Sequence, residues 1–201
     1  YKNENLCIAG GCAFNSSLNG KIIEKSDFKN IYFSPNVGDA GGSIGAALYV
    51  AKENNEKLNY KADPFLGTYY SNKYIEEKII SKIKKMSHFE CTYYKNFNDV
   101  NDKVCNKLSN EGVVGWFQDR MEWGPRALGN RSILGDPRNP DMREIVNIKI
   151  KWREEFRPFA PSILLDKASE YFKVKTESPY MCSVYEVLEE KKHMIPAVVH
   201  V

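Results

Sequence analysis

Short apolar runs alternate with glycine-rich turns and amphipathic stretches in the first part of the chain. Two strand-like runs, residues 6–9 and 30–33, are each followed by such a turn. Small and apolar residues at helical spacing then predict helices over residues 13–22 and 43–52. Strand–turn–helix units in succession are typical of nucleotide-binding folds with crossover connections. The pattern therefore predicts an α/β arrangement for this part.

Apolar positions in the rest of the chain also predict a mixture of helices and strands. A polar, asparagine-rich stretch over residues 53–63 is typical of a linker. We therefore expect a first unit, residues 1–62, and a second, residues 63–201. In the second unit, helices are predicted at residues 74–86, 98–110, 142–150 and 166–171, and strands at residues 89–94, 113–118, 162–165 and 181–187. The fold class is α/β, or mixed α+β.

Composition and charge narrow the function classes. The 201 residues are 42% hydrophobic and 27% charged, a balance that argues against disorder. A net charge of +3 is mild, so it disfavours nucleic acid as a partner. No apolar run approaches a membrane-spanning length, and we expect no membrane association. The sequence starts without methionine and stops inside an apolar run, so we expect a piece of a longer protein.

The cysteines predict a reducing compartment. Their number is five, and no two of them form a Cys-x-x-Cys pair, so neither a disulfide framework nor a structural zinc site is indicated. Cys7, Cys12 and Cys105 have apolar neighbours in the sequence and are expected to be buried free thiols. The chain is therefore predicted to be cytoplasmic.

The most distinctive segment spans residues 115–133, where charged, aromatic and turn-forming residues are interleaved. Three arginines alternate there with glycine and proline: Arg120, Arg126 and Arg131. Arginine offers a planar fork of donors to phosphate or carboxylate, and glycine lets a backbone approach a ligand closely. The segment favours a site for a small phosphorylated anion. The alternative is a set of surface ion pairs with Asp119, Glu122 and Asp136, each worth about 0–1 kcal/mol.

A second basic cluster follows in residues 151–162. Its cations are Lys151, Arg153 and Arg157. These could form an exposed ladder of ion pairs on a helix. The two prolines that follow favour instead a structured loop that fixes Arg157. We expect the guanidinium groups of both clusters to gather in a single pocket.

Two glycine turns in the first unit add a candidate nucleotide cleft. One is Gly10-Gly11, and the other surrounds Asp39 and opens the helix predicted at 43–52. Helix N-termini and backbone N–H groups bind phosphates, and a carboxylate beside them can bind a metal. The alternatives are a glycine pair that ends a strand and an aspartate that caps a turn.

These segments resemble the O-carbamoyltransferases of the nodulation and antibiotic-tailoring type. Residues 10–15 and 19–22 are similar to the family's Gly-Gly-x-Ala-x-Asn and Asn-Gly-basic-Ile segments. Residues 35–47 look like its Pro-x-x-Gly-Asp-x-Gly-x-x-x-Gly-Ala-Ala loop. Residues 115–132, 136–138 and 151–162 are similar to the signature of its C-terminal domain. The likeness covers nearly the whole chain, and the long arginine motif is its most specific part.

The resemblance implies a fold for each unit. Residues 1–62 would be the tail of an actin/hexokinase-like ATPase domain, akin to the universal tRNA-modification ATPase. Residues 63–201 would form a twisted-sheet domain like threonylcarbamoyl-adenylate synthase, cut before its end. The missing upstream part of the same chain would then be a partner of these residues, and the chain is compatible with a homodimer.

The resemblance also implies a reaction. Carbamoyl phosphate and ATP, the latter with Mg²⁺, would give carbamoyl adenylate. The carbamoyl group would then pass to a hydroxyl of a small-molecule or sugar acceptor in a biosynthetic pathway, assisted by Fe²⁺ or a similar divalent metal. Asp39 matches the family's metal-binding aspartate, whereas the two histidine ligands would lie upstream.

We expect the site residues to divide into two groups. The catalytic arginines would be Arg126 and Arg131 as phosphate clamps, with Arg120 and Arg157 next. The contacts to substrate or nucleotide would be Gly10, Gly11, Asn15, Lys151, Arg153 and Ser162. A function of another class stays open: a non-catalytic RNA-binding or nucleotide-binding module related to tRNA-modification proteins.

Overall fold

A helical crossover between two parallel strands forms the first part of the chain. The computed structural model describes residues 3–200. Strand β1 (Asn5–Ile8) pairs in parallel with β2 (Asn30–Phe33), and helix α1 (Ser16–Lys25) connects them. Parallel neighbours cannot be joined by a tight hairpin, so a crossover is required. The predicted order of strand, turn, helix and strand is confirmed.

A side-chain cap sets the start of α1. Asn15 Oδ1 accepts a hydrogen bond from the backbone N–H of Leu18 at 3.0 Å, as an N-cap residue does. The residues before the cap, Gly11–Phe14, form a single 3-10 turn. The predicted helix start at residue 13 is therefore wrong, because the backbone there is wound more tightly than an α-helix.

Helix α2 (Gly41–Glu53) follows the second glycine-rich loop, in agreement with the helix predicted at residues 43–52. None of its residues is buried. The exposed fractions of Tyr49 and Val50 are 65% and 57%. The helix therefore presents apolar side chains at the surface of the described part of the chain.

The second part of the chain places helices around an antiparallel strand pair. Strand β3 (Val114–Phe117) pairs with β4 (Arg131–Leu134), and the two enclose the loop over residues 118–130. The helices are α3 (Asn72–Tyr74, continued by the π-helical Ile75–Ile80 and by Ser81–Ile83), α4 (Phe97–Ser109) and α5 (Met142–Glu144, continued by the π-helical Ile145–Ile150). These confirm the corresponding predicted helices and the strand predicted at 113–118.

Three predicted strands are wrong. Residues 89–94 are irregular and largely exposed, and residues 162–164 are irregular, without a strand partner, before the 3-10 helix that begins at Leu165. Residues 181–187 contribute an isolated bridge between Phe172 and Val187. A strand is stable when a neighbour satisfies its backbone groups, and apolar composition alone does not supply that neighbour. The helix predicted at 166–171 is present as a 3-10 helix, Leu165–Glu170.

The core consists of two small clusters. One contains Ala13, Val37 and Cys182, and half-buried Phe14 and Tyr180 are among the side chains that pack against it. It therefore joins the beginning of the chain to residues near its end. The other contains Met142, Val146 and Ala197 and fixes α5. The mixed α/β class is confirmed, while the ATPase-like and synthase-like identities of the two units stay predictions.

The chain exposes more surface than a compact monomer of its mass. Its accessible surface is 15061 Å², against about 9,700 Å² expected for a folded monomer of 23.1 kDa. Within residues 3–200, no helix combines the length and the apolar character needed to cross a membrane.

The cysteines are free thiols, but most of them are not buried. Cys7, Cys12 and Cys105 are exposed, so the expectation that they are buried is wrong. Cys182 is buried in the first core cluster, and this burial raises the pKa of its thiol.

Candidate functional site

A buried carboxylate organises the arginine-rich loop between β3 and β4. Glu122 is 2% exposed. Its Oε1 accepts hydrogen bonds from the backbone N–H groups of Leu128 at 2.6 Å and Asn130 at 3.0 Å. Its Oε2 lies 3.3 Å from Arg131 Nε. No hydrogen-bond donor among the described residues is aligned on Oε2, so Arg131 acts on it through charge. The alternative of surface ion pairs therefore does not describe this carboxylate.

Glu122 is held in its ionised form. Burial raises the pKa of this carboxyl, but hydrogen bonds from backbone N–H groups, that of Leu128 first, together lower it by more. The net pKa therefore lies below that of an ordinary glutamate. A buried charge of this kind is stable when it is paired and hydrogen-bonded.

Asn130 is a second buried anchor of the same loop. Its Nδ2 donates to the carbonyl oxygen of Arg120 at 2.7 Å, and its Oδ1 accepts from Gln118 Nε2 at 3.0 Å. The backbone N–H of Gln118 also donates to the Asn130 carbonyl at 3.0 Å. Both ends of the loop are thus tied together by hydrogen bonds within the chain.

Two of the three arginines in residues 115–133 face the first part of the chain. Arg126 Nη2 donates to the carbonyl oxygen of Phe14 at 3.2 Å, and its guanidinium lies 5.5 Å from the centre of the Phe14 ring. Arg131 donates to the carbonyl of Gly124 and lines a cavity of about 450 Å³. The opposite wall of this cavity is formed by Phe14, Asn36, Gly38, Asp39 and Ala40.

Asn36 packs against the arginine loop at a glycine. It is 3% exposed, and its Oδ1 accepts from the backbone N–H of Gly38 at 3.1 Å. Its Nδ2 has no partner among the described residues. A Cβ added to Gly124 would lie 3.4 Å from this nitrogen, at the edge of ordinary van der Waals contact, so the two segments touch at this glycine.

Asp39 lies in the wall of the same cavity and is exposed. Over residues 3–200, no three side chains of His, Cys, Asp or Glu form a group that could hold a metal ion. A single carboxylate does not fit an iron-type site, which needs several protein ligands. The residues described here therefore do not form a metal site by themselves, and the role of Asp39 stays a prediction.

The other predicted residues of the first unit lie near this cavity without lining it. Gly10 has a φ of 93°, and its N–H donates to the carbonyl of Val37 at 2.6 Å. Gly11 begins the 3-10 turn and is exposed. The side chain of Asn15 is used to cap α1. Their proposed contacts with an adenylate stay predictions.

The second basic cluster is organised by a buried asparagine. Asn147, on α5, is 0% exposed. Its Nδ2 donates to the carbonyls of Glu155 at 3.0 Å and Arg157 at 2.9 Å, and its Oδ1 accepts from Arg153 Nε at 2.7 Å. The guanidinium of Arg153 also stacks 5.0 Å from the centre of the Phe159 ring. The loop is structured as predicted, but Asn147 holds only the backbone of Arg157, whose guanidinium forms an exposed ion pair with Glu154.

The two clusters do not share a single cavity. Arg153 and Arg157 line a cavity of about 580 Å³ next to α5, whereas Arg131 lines the cavity beside Asp39. The expectation of one common pocket is wrong in this respect, because α5 and the loop over residues 118–130 hold the two clusters separately. Arg120 Nη1 donates to the carbonyl of Gly67 at 3.1 Å.

The remaining predicted contacts are exposed. Lys151 ends α5, and Ser162 lies in the irregular segment before the 3-10 helix Leu165–Glu170. Neither side chain lines the two cavities described above. Their roles stay predictions.

The buried polar residues that hold both loops are not among those predicted from the sequence. Glu122, Asn130 and Asn147 carry polar side chains, and such residues are expected at the surface. A signal was present in two of them. Glu122 stands between Met121 and Trp123, and Asn147 interrupts an apolar stretch of α5.

Comparison with known proteins gives the family. The family description "Carbamoyltransferase N-terminus" matches residues 1–48, and "Carbamoyltransferase C-terminus" matches residues 105–201. The cavity beside Asp39 is therefore lined by residues of both matched segments.

Several curated proteins are similar over almost the whole chain. Nodulation protein NolNO of Sinorhizobium fredii is 37% identical over 205 residues, which cover 98% of this chain and 29% of that protein. Nodulation protein NolO of Bradyrhizobium diazoefficiens is 37% identical over 201 residues, covering 98% and 36%. An uncharacterised protein of Synechocystis is 48% identical over 189 residues, covering 93% and 31%.

The chain spans about a third of the length of these relatives. Two family segments match in the order N-terminus then C-terminus, and the arginine-rich motif lies inside the second of them. The chain belongs to the carbamoyltransferase family.

Proposed function

We propose that this chain is part of an ATP-dependent O-carbamoyltransferase. Carbamoyl phosphate and ATP would give carbamoyl adenylate, and the carbamoyl group would then pass to a hydroxyl of a small-molecule or sugar acceptor. The observation that carries the proposal is the arrangement of Arg126 and Arg131. Arg126 lies on the loop fixed by the buried carboxylate and contacts Phe14, whereas Arg131, at the start of β4, pairs with that carboxylate and lines the cavity beside Asp39.

The chemistry balances with three products that carry phosphate: inorganic phosphate, pyrophosphate and AMP. Water converts carbamoyl phosphate into carbamate and inorganic phosphate. A carbamate oxygen then attacks the α-phosphorus of ATP, and the bond to pyrophosphate breaks. The acceptor hydroxyl finally attacks the carbamoyl carbon, loses its proton, and releases AMP. Each step concentrates negative charge on phosphate oxygens, which fixed cations stabilise.

The chain's own residues would supply that stabilisation. Arg126 and Arg131 are held by backbone carbonyls and by Glu122, so they need little reorganisation to receive an anion. Arg153 and Arg157, in the other cavity, would contact the nucleotide phosphates. Mg²⁺ would accompany ATP. We derive no step through an iron-type metal, because these residues alone do not form its site.

Exchange of pyrophosphate into ATP tests the proposal directly. The full-length protein should catalyse ATP–pyrophosphate exchange that depends on carbamoyl phosphate. Removal of one fixed donor to a transition-state charge lowers rates about 10²–10³-fold, so Arg126→Ala and Arg131→Ala should each approach that loss. Full exchange by Arg126→Ala would rule out its role as a clamp.

Arg138 offers a matched control. Its guanidinium pairs with Asp136 and its side chain is 65% exposed, away from both cavities. Arg138→Ala should therefore retain exchange. If the wild-type protein showed no exchange but bound RNA with a steep dependence on salt, the alternative of a non-catalytic RNA-binding module would be favoured.

A further inference from the structure

The cavity next to α5 has an aromatic side as well as a cationic side. It is lined by Ile148, Trp152, Arg153, Glu154 and Arg157, and its volume is about 580 Å³. Small-molecule sites in proteins have volumes of about 300–1,000 Å³. The two arginines are already proposed to contact phosphate. Trp152 has no role in that proposal.

Trp152 is presented to solvent on a strained backbone. Its exposed fraction is 85%, and its φ is 50°, in the left-handed region that bulky residues rarely adopt. Such strain persists where the surroundings impose it, and it concentrates at ligand sites. The surroundings do impose it here. The backbone N–H groups of Lys151 and Arg153 both donate to carbonyls of α5, at 2.9 and 3.0 Å.

The indole ring is also held in place. Its Nε1 donates to the carbonyl of Lys149 at 3.2 Å, which satisfies the polar edge of the ring and leaves its faces free for stacking. Because the orientation of the indole is already fixed, its side chain loses little conformational entropy when a second ring packs on it.

The cationic side of the cavity is incompletely neutralised. Arg157 Nε pairs with Glu154 at 2.7 Å, whereas Arg153 is hydrogen-bonded to the neutral Asn147. Burial, and then the charge of Arg157, lowers the pKa of Arg153. Two cations and one carboxylate leave a net positive charge, so an anion bound between the guanidinium groups would relieve their repulsion.

We propose that Trp152 stacks on the base of a nucleotide whose phosphates are neutralised by Arg153 and Arg157. The inference rests on the proposed function, in which ATP is a substrate, and it names the part of the chain that receives the base. A protein segment could also cover an exposed indole. The two guanidinium groups beside the ring, with one carboxylate to pair them, favour the phosphates of a nucleotide over such a segment.

Two probes and three variants test the proposal in the full-length protein. ATP with Mg²⁺ carries a base, whereas inorganic tripolyphosphate carries phosphates alone. Loss of one stacked aromatic ring lowers the affinity of a protein for nucleic acid by about 10-fold or more. Trp152→Leu should therefore lower the affinity for ATP by that factor and leave the affinity for tripolyphosphate unchanged. Trp152→Phe keeps a ring and should bind ATP nearly as well as the wild type.

Phe156→Leu is the matched control. Phe156 is a 76% exposed aromatic residue of the same loop, but it does not line the cavity, so its replacement should leave ATP binding unchanged. The stacking proposal fails if Trp152→Leu binds ATP like the wild type. It also fails if the substitution lowers the affinities for ATP and for tripolyphosphate to the same extent. Intact carbamoyl-phosphate-dependent exchange in Trp152→Leu, with unchanged ATP affinity, would overturn the stacking and leave the proposed function standing. A wild-type protein that binds no ATP would overturn both.

Discussion

Glu122 and Arg131 form an ion pair in which one partner is completely buried and the other lines a cavity. The side-chain exposure is 0% for Glu122 and 36% for Arg131, and Nε lies 3.3 Å from Oε2. Backbone N–H groups of Leu128 and Asn130 hold the same carboxylate from its other oxygen. One side chain therefore closes the loop and orients a cation toward the Asp39 loop.

Replacement of Glu122 should destabilise the chain strongly. Glu122→Ala removes the acceptor of two buried N–H groups and leaves Arg131 without its carboxylate. Loss of one member of a buried pair costs about 3–5 kcal/mol, and we expect the lower end because Arg131 is partly exposed. Urea unfolding followed by circular dichroism measures the change in the free energy of unfolding.

Two further variants separate the charge from the hydrogen bonds. Glu122→Gln keeps an oxygen for Leu128 and Asn130 but loses the charge, so it should recover part of the lost stability. Glu189→Ala is the control, because Glu189 pairs with Lys192 at the surface and is 85% exposed. Such a pair contributes about 0–1 kcal/mol. Equal losses in Glu122→Ala and Glu189→Ala would contradict the structural role of Glu122.

The contribution of Glu122 should depend on pH. Its pKa in the folded chain lies below the ordinary value of about 4.3. The carboxylate therefore stabilises the fold fully above that ordinary value, and the stabilisation is lost as the pH falls through the folded pKa. The difference in urea midpoint between the wild type and Glu122→Gln should be constant near neutral pH and shrink in acid. A difference that stays constant below the ordinary pKa would contradict the assignment.

Asn147 should matter for both stability and anion binding. Asn147→Ala leaves the carbonyls of Glu155 and Arg157 and the Nε of Arg153 without their hydrogen-bond partner. Each buried polar group left unpaired lowers the free energy of unfolding by about 1–3 kcal/mol. We expect a lower melting temperature and weaker binding of tripolyphosphate, because the loop no longer fixes its two arginines. Calorimetric unfolding and titration measure the two effects.

An exposed asparagine provides the comparison for this variant. Asn106 lies on the surface of α4. Asn106→Ala should raise helix propensity slightly and leave binding unchanged. If Asn147→Ala lowered the melting temperature but bound tripolyphosphate like the wild type, Asn147 would support the fold without positioning the arginines.

The sequence predicts a helix or strand well where the residues of that segment alone determine its secondary structure. The parallel pair of β1 and β2 follows from two apolar runs, each ended by a glycine turn. Strand β4 was missed because it starts with Arg131 and Ser132 and becomes a strand through its pairing with β3. The strands expected at residues 89–94 and 162–165 fail for the converse reason, since their apolar composition meets no partner strand.

The cationic residues of the candidate site can be predicted from the sequence, whereas the buried residues that hold them in place cannot. Arginine, glycine and proline together indicate an anion site. Arginine presents a planar fork of donors, glycine lets the backbone approach a ligand, and proline fixes the loop. Nothing in the local sequence tells whether Glu122 points inward, because that depends on contacts with Leu128 and Asn130 that the turn creates. The separation of the clusters into two cavities likewise depends on how α5 packs on Ala197 and Phe159.

Two glycines in helices should respond in opposite ways to the same substitution. A Cβ added to Gly20, on α1, would lie 2.5 Å from the carbonyl oxygen of Val184, so the helix or the chain near its end must move. Overpacking of this kind costs about 1–3 kcal/mol. A Cβ on Gly45, in α2, meets nothing within 4 Å, and Ala there should add about 0.5–1 kcal/mol through helix propensity.

The contact at Gly20 also bears on the cavity. The neighbouring Asn19 is buried and donates to the carbonyls of Ala13 and Cys182, both at 2.7 Å. Helix α1 is therefore bound both to the turn that precedes it and to the segment near Cys182. Gly20→Ala should therefore lower the melting temperature and loosen the packing of Phe14 against Arg126. Gly45→Ala should raise the melting temperature and leave anion binding unchanged. If both variants shifted the melting temperature in the same direction, the close approach of α1 to Val184 would not be a determinant of this fold.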